Sequence, residues 1–279
     1  MTRVTTAGYF LPSRTGEIFL LVRRPPQPCG SVLVVPPFAE EMNKCRRMVT
    51  EATLELCSRG SAALVPDLYG TGDSQGDFAD GRWGVWQENL ETVCAWAEGN
   101  GLAVHALLAI RLGAALAISA GRNGRLPAVA VTVLWQPVLD GAKYLTQFLR
   151  LRTAGNLFAE GSKESTADLR ARLAAGHRIE VAGYNLTGDL ASDLDAVTQP
   201  TDIPRQLGAI HWMEVVRTPE SGMPANSQAL IDRYRVSGTR IVDYTFVGEP
   251  FWATVEISRV PEMLDATLRP IAAAVTPSR

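Results

Sequence analysis

Short apolar runs alternate with amphipathic segments along most of this chain. Residues 31–36 and 62–66 are nearly continuous apolar runs of the kind that forms buried parallel strands. Residues 44–59 and 83–98 carry apolar side chains at helical spacing. The same alternation predicts further strands over residues 103–108, 128–135, 211–216 and 241–247, and further helices over residues 113–120, 225–235 and 261–274. This order predicts an α/β fold, with a mostly parallel sheet and helices on both of its faces.

The strand pattern stops between residues 140 and 204, where a polar segment rich in Arg and Ala has helical character. We therefore divide the chain into a core of residues 1–139 and 205–279 and a helical lid of residues 140–204, inserted after the sixth predicted strand. At the start of the chain, residues 8–11 and 17–23 predict an antiparallel hairpin.

Composition and charge narrow the classes of partner. The chain has 279 residues, with 27 Lys and Arg against 29 Asp and Glu, so a formal charge of −2 draws the whole molecule to neither nucleic acid nor an anionic membrane. No apolar run reaches the ~18 residues that a membrane span requires. The four cysteines form no C-x-x-C motif, which favours reduced thiols in a cytoplasmic protein. A homo-oligomer is compatible with this composition.

One glycine-containing motif limits which α/β folds the chain can adopt. Residues 67–74 read D-x-x-G-x-G-x-S, and they combine with Pro36-Pro37-Phe38 after the third predicted strand and with residues 136–138 after the sixth. In this order of elements the chain resembles the α/β-hydrolase superfamily. Residues 34–44, 135–141, 146–152 and 248–252 resemble the group named exosortase A system-associated hydrolase 2. That group takes its name from gene neighbourhoods for exosortase-dependent protein sorting and exopolysaccharide production.

The resemblance places an arginine where a hydrolase of this fold carries its nucleophile. The G-x-S-x-G turn of such enzymes corresponds to residues 109–113 here, with Arg111 at the serine position. A guanidinium stays protonated and has no lone pair for attack, so we expect no acyl-enzyme. Arg111 then either clamps an anion at the mouth of the cleft or forms an internal ion pair with Glu40, Glu41 or Glu249.

The other two triad positions are also unusual. Glu220 has the spacing of the triad carboxylate, but it also fits an ordinary loop carboxylate. None of His105, His177 and His211 follows the eighth predicted strand, where Glu249 stands in place of the base. Ordinary serine-esterase action is therefore not expected.

A different set of groups remains for chemistry. Glu40, Glu41 and Glu249 are candidate acids and bases for direct attack by water, with Arg111 stabilising the developing charge. The candidate ligand-binding residues are apolar, namely Phe38, Leu112, Phe251 and Trp252. The sequence contains no metal-binding spacing and no phosphate-binding glycine fingerprint, so we expect neither a metal nor another cofactor, and a nucleotide-binding fold is disfavoured.

Two functions are compatible with these observations. The first is hydrolysis, by a non-serine mechanism, of an acyl-bearing, ester-bearing or anionic small molecule, which the resemblance links to exosortase and exopolysaccharide systems. The second is a catalytically silent ligand-binding or scaffolding protein on the same fold. The sequence does not decide whether this chain is an enzyme.

Overall fold

A twisted eight-stranded sheet runs through the middle of this computed structural model, which describes residues 4–155 and 164–275. The strands lie in the order β1-β2-β4-β3-β5-β6-β9-β10. The first pairings, β1 with β2 and β2 with β4, are antiparallel, and all the others are parallel. The strands are β1 Thr5–Pro12, β2 Glu17–Arg24, β3 Gly30–Val35, β4 Ser61–Pro66, β5 Val104–Ile110, β6 Val131–Trp135, β7 Ile179–Val181, β8 Tyr184–Leu186, β9 Ala209–Val216 and β10 Ile241–Val247.

Helices cover both faces of the sheet, which confirms the predicted mostly parallel α/β sheet. The helices are α1 Glu40–Ser58, α2 Trp83–Gly99, α3 Gly113–Arg122, α4 Gly141–Gly155, α5 Thr166–Ala174, α6 Gly188–Ala196, α7 Ala225–Val236 and α8 Pro261–Val275. Helices α1 and α8 bury one face, and α2, α3 and α7 bury the other. The central strands β3, β5 and β6 are buried on both faces, which is why they read as continuous apolar runs.

The first helix begins at Glu40, four residues earlier than the sequence pattern predicts. Glu40 and Glu41 were expected in a loop, and the structure places both in the first helical turn. Two physical features favour this start. Ala39 has a positive φ of 50°, which turns the chain sharply after Pro37-Phe38, and carboxylates are stabilised at the positive end of a helix dipole.

The segment between β6 and β9 contains α4, α5 and α6 together with the short hairpin β7-β8. The sequence pattern predicts no strands in this segment. A three-residue strand is too short to show alternation, and Ala182-Gly183, both with positive φ, form the two-residue turn. Residues 156–163 of the predicted insertion lie outside the described residues. The role of the whole segment as a lid stays a prediction.

Within the described parts of the chain, no helix combines the length and the apolar composition needed to cross a bilayer.

Candidate functional site

Arg111 occupies a sharp bend between the end of β5 and the start of α3. Its φ is 54°, a left-handed conformation that side-chain-bearing residues rarely adopt. The backbone holds the bend from both sides, because the Arg111 N–H donates to the Trp135 carbonyl at 2.9 Å and its carbonyl accepts from Ala114 at 3.0 Å. Gly113 permits the close packing of α3, since a Cβ there would lie 2.5 Å from the Pro36 carbonyl oxygen. The bend corresponds to the strand-to-helix turn expected from the sequence.

The Arg111 side chain makes a buried ion pair with Glu41. Its Nε and Nη2 both lie 3.1 Å from Glu41 Oε1, and its Nη1 donates to the Gln136 carbonyl at 3.3 Å. The guanidinium carbon lies 4.9 Å from the centre of the Trp252 ring, a cation–π distance. The Arg111 side chain is 12% exposed and the Glu41 side chain 7%. Of the alternatives open at the sequence level, the structure contains the internal pair with Glu41.

Two carboxyl groups, that of Glu41 in this pair and that of the preceding residue Glu40, each have one oxygen without a hydrogen-bond partner among the described residues. These oxygens, Oε2 of Glu40 and Oε2 of Glu41, are buried. Burial raises the pKa of Glu41, and Arg111 opposes this shift. Burial also raises the pKa of Glu40, and the neighbouring Glu41 carboxylate adds to the effect. A carboxyl group that keeps its proton at higher pH can donate a hydrogen bond or act as a general acid.

Tyr144 on α4 lies beside Arg111, Glu40 and Glu41, and we call these four residues the buried cluster. Burial raises the pKa of its hydroxyl well above the ordinary value, and the Glu41 and Glu40 carboxylates raise it further. The hydroxyl lies close enough to Glu41 to affect the pKa of that carboxyl group. Tyr144 was not among the candidate residues, because no motif in the sequence links its phenol group to the bend.

Glu214 is a buried acid that sequence reasoning missed. It lies in β9 and is 2% exposed. Its Oε1 accepts hydrogen bonds from Trp212 Nε1 and Ser227 Oγ. Burial raises its pKa, whereas these two hydrogen bonds and the charge of Arg111 lower it. The available signal was one acidic residue within the otherwise apolar end of a predicted strand.

The structure keeps Glu220 and Glu249 apart from the buried cluster. Glu220 is exposed in a short 3₁₀ turn after β9, where its own backbone N–H and the Thr218 hydroxyl lower the pKa of its carboxyl group. Glu249 is exposed in the loop after β10. Within the described residues, the carboxylate that pairs with Arg111 belongs to Glu41, not to either of these.

The apolar candidates divide into two groups. Phe38 and Leu112 line a small apolar cavity of about 20 Å³ beside the bend, together with Gly113 and residues of α2. That volume holds roughly one water molecule. Phe251 instead lies in the core on the opposite face of the sheet, with its ring edge on to Trp135. Trp252 covers Arg111 and is partly exposed.

Aromatic rings pack around Phe38, which lines the cavity. The Phe38 ring makes edge-to-face contacts with four rings, at centroid separations of 5.2 to 5.8 Å. These rings belong to Phe78, Trp86, Tyr144 and Phe148. An acyl group larger than the cavity therefore requires these rings to move.

The histidines and cysteines supply no alternative catalytic group at this site. His105 Nδ1 lies 2.7 Å from the Ala103 carbonyl, His211 stacks on Tyr244, and His177 is exposed. Burial raises the pKa of the Cys45 thiol, which disfavours a reactive thiolate. Over the described ranges, no three or more His, Cys, Asp or Glu side chains are grouped to hold a metal ion.

Solved structures with the same architecture include several esterases. The ferulic acid complex of Est1E from Butyrivibrio proteoclasticus has a TM-score of 0.68 and 13% identity, over 96% of this chain and 99% of that one. A thermostable carboxyl esterase from Bacillus coagulans, in complex with glycerol, has a TM-score of 0.59 and 12% identity, over 99% and 100% of the two chains. Carboxyl esterase 2 from Tuber melanosporum has a TM-score of 0.58 and 16% identity, over 99% and 87%.

No family model and no curated protein matches this sequence. At these identities the structural similarity shows the fold alone, which is the α/β-hydrolase fold.

Proposed function

We propose that this α/β-hydrolase-fold protein binds a small, uncharged acyl-bearing molecule beside Arg111 without forming a covalent acyl-enzyme. The observation that supports the proposal is the buried Arg111–Glu41 ion pair, at the bend where the resemblance to hydrolases leads us to expect a nucleophile. A guanidinium cannot attack a carbonyl carbon. Since Glu41 already neutralises Arg111, an anionic ligand would have to displace a buried carboxylate, whereas a neutral ester or amide carbonyl would not.

The proposed binding mode uses the two kinds of surface that meet at the bend. The apolar part of the ligand faces Phe38 and Leu112 at the small cavity. Its carbonyl accepts a hydrogen bond from the protonated carboxyl group of Glu40, whose buried Oε2 lacks a partner among the described residues. Residues 140–204 act as the lid and admit the ligand when the aromatic contacts around Phe38 open. The link to exosortase and exopolysaccharide systems and the cytoplasmic location stay predictions.

Hydrolysis by direct attack of water is the second candidate function. The observation that favours it is the pair of carboxyl groups at Glu40 and Glu41, both with a raised pKa and each with one unpartnered oxygen. In this mechanism water adds to the carbonyl carbon, a carboxylate takes the water proton, and the neighbouring carboxylic acid protonates the leaving oxygen. Arg111 stabilises the negative charge that develops on the carbonyl oxygen.

A binding screen with matched neutral and anionic compounds tests the proposal. The full chain is heated with p-nitrophenyl butyrate, butyramide or sodium butyrate, and the midpoint of thermal unfolding is measured. We expect a rise in midpoint with the neutral compounds, because a ligand that binds only the folded state stabilises it by about 2.7 kcal/mol at 100 times its Kd. A rise with butyrate alone would show an anion clamp and refute the proposed ligand class.

Release of p-nitrophenol separates the two candidate functions. Binding without turnover supports the binding protein, and turnover that is lost in Glu40→Gln but kept in the exposed control Glu220→Gln supports the water mechanism. A fluorophosphonate probe should leave the protein unlabelled in both cases. A covalent adduct on any Ser, Thr or Cys of the cleft would overturn both.

A further inference from the structure

Two exposed aliphatic side chains lie beside a basic stretch of α1. The loop after Trp252 carries Val255, which is 100% exposed, and Ile257, which is 77% exposed. This loop and α1 together line a surface groove of about 430 Å³, to which α1 contributes Lys44, Arg46 and Arg47. We call these five residues the basic-aliphatic patch. A single exposed aliphatic residue is ordinary on a protein surface, whereas a group of them rimmed by polar or charged residues marks an interaction site.

The patch is more positive than the chain as a whole. Glu51 binds both Arg47 and Arg259, so these two cations are partly neutralised. Lys44 and Arg46 make no salt bridge with a described residue. Among the residues that line the groove, three cations face one carboxylate, that of Glu256. The local formal charge is therefore positive in a chain whose total charge is −2.

We propose that the basic-aliphatic patch docks this protein on an anionic phospholipid surface. Aliphatic side chains at a loop tip insert at the boundary between headgroups and acyl chains, while adjacent Lys and Arg side chains bind the anionic headgroups. A protein partner would also cover the two aliphatic side chains. A lipid surface fits the patch better, because anionic headgroups complement the cations and the acyl chains beneath them take up the aliphatic side chains. The whole-chain charge does not reveal this surface, because it averages over the patch and the acidic remainder.

The patch adjoins the candidate site, so docking through the patch would bring the site close to the lipid surface. Trp252 covers Arg111 and directly precedes the loop, and the Lys44 charge acts on the Glu40 carboxyl group. A docked molecule therefore holds the cleft at the lipid surface, where an amphiphilic acyl compound is concentrated. This consequence rests on the proposed function, whereas the docking itself does not.

Vesicle flotation tests the docking with the full chain. The protein is mixed with vesicles of phosphatidylcholine alone or of phosphatidylcholine with 30% phosphatidylglycerol, at low salt and in 0.5 M NaCl. We expect flotation with the anionic vesicles at low salt and its loss in 0.5 M NaCl, because salt screens exposed charges. The double variant Lys44→Gln/Arg46→Gln should lower the partition coefficient about 25-fold, since each cation contributes about fivefold. Val255→Ser/Ile257→Ser should lower it about tenfold.

Matched controls and alternative results make the outcome decisive. The control Val236→Ser/Arg217→Gln removes one aliphatic residue that is 90% exposed and one exposed arginine elsewhere on the surface, and it should float like the wild type. Unchanged thermal midpoints show that every variant is folded. Absence of flotation, or flotation that neither patch variant lowers, would refute the proposal. Self-association that only the patch variants abolish, without vesicle binding, would identify a protein interface instead. The thermal screen measures ester binding and vesicle flotation measures docking, so a negative result in one experiment refutes only the proposal that it tests.

Discussion

Replacing Arg111 with methionine removes the cation from the buried pair and leaves the Glu41 carboxylate without a counter-ion. Breaking a buried ion pair by removing one partner costs about 3–5 kcal/mol. The lost cation–π contact with Trp252 adds about 1 kcal/mol, and the apolar methionine recovers part of the packing. We therefore expect the free energy of unfolding to fall by about 4 kcal/mol at pH 8. Urea denaturation followed by far-ultraviolet circular dichroism measures it without a probe at the site.

The pH dependence of this loss has a definite sign. Burial raises the pKa of Glu41, and Arg111 opposes that shift in the wild type. Without Arg111 the folded protein holds the Glu41 proton more tightly than the unfolded chain does. The stability of the variant then falls as pH rises from the ordinary carboxyl pKa through the raised folded pKa. The deficit against the wild type should therefore be largest at pH 8 and smaller at pH 5.

A double-mutant cycle shows whether the loss comes from the pair. The variant Arg111→Met/Glu41→Met replaces both charges with apolar side chains, so its stability should lie within about 1 kcal/mol of the wild type. As a surface control, Arg125→Met breaks the pair with Glu91, whose side chains are 32% and 52% exposed, and should cost less than about 1 kcal/mol. Additive single mutants, or an Arg111→Met variant as stable as the wild type at pH 8, would refute the reasoning.

Three further substitutions, at Gly113, Glu214 and Glu220, test the packing of the bend and the charge state of two carboxyl groups. Gly113→Ala should destabilise the fold by about 3 kcal/mol in urea denaturation, because the new Cβ meets backbone oxygen atoms. The control Gly84→Ala, in open space on α2, should be neutral or slightly stabilising. Equal stabilities for the two variants would contradict the close packing at Gly113. Glu214→Gln should be more stable than the wild type at pH 8 but not at pH 4, because burial raises the pKa of Glu214 and its ionisation opposes folding. Glu220 has a lowered pKa, so Glu220→Gln should be less stable than the wild type at pH 8, and this deficit should shrink as pH falls below the ordinary carboxyl pKa. Parallel pH profiles for the Glu214 and Glu220 variants would refute the assignment.

The core of the fold could be predicted from the sequence because burial on both faces leaves a direct pattern. Strand β3 is fully buried and reads as a nearly continuous apolar run. The start of α1 could not be placed in this way, because Pro36-Pro37 followed by two acidic residues has the composition of a loop. The backbone turn at Ala39, which admits the helix at Glu40, depends on the packing of its surroundings.

The candidate site was only partly accessible to sequence reasoning. The resemblance placed Arg111 at the bend, and residue chemistry then limited it to an anion clamp or an internal pair. The choice of Glu41 over Glu249 depends on which loop returns to the bend, and this is a tertiary property. Phe251 and Trp252 are adjacent in the sequence, yet one enters the core and the other covers Arg111.

Three residues with side chains adopt left-handed backbone conformations at neighbouring strand ends, namely Ala39 after β3, Arg111 after β5 and Gln136 after β6. Each such residue carries a steric penalty of about 1–2 kcal/mol that glycine would avoid. Glycine at Arg111 would also remove the buried ion pair with Glu41, so laboratory selection for heat tolerance should find its early gains at Ala39 and not at Arg111. At Arg111 the strained backbone holds the charged group in place, so relief of the strain by glycine would abolish that group and set heat tolerance against ligand recognition at the mouth of the cleft.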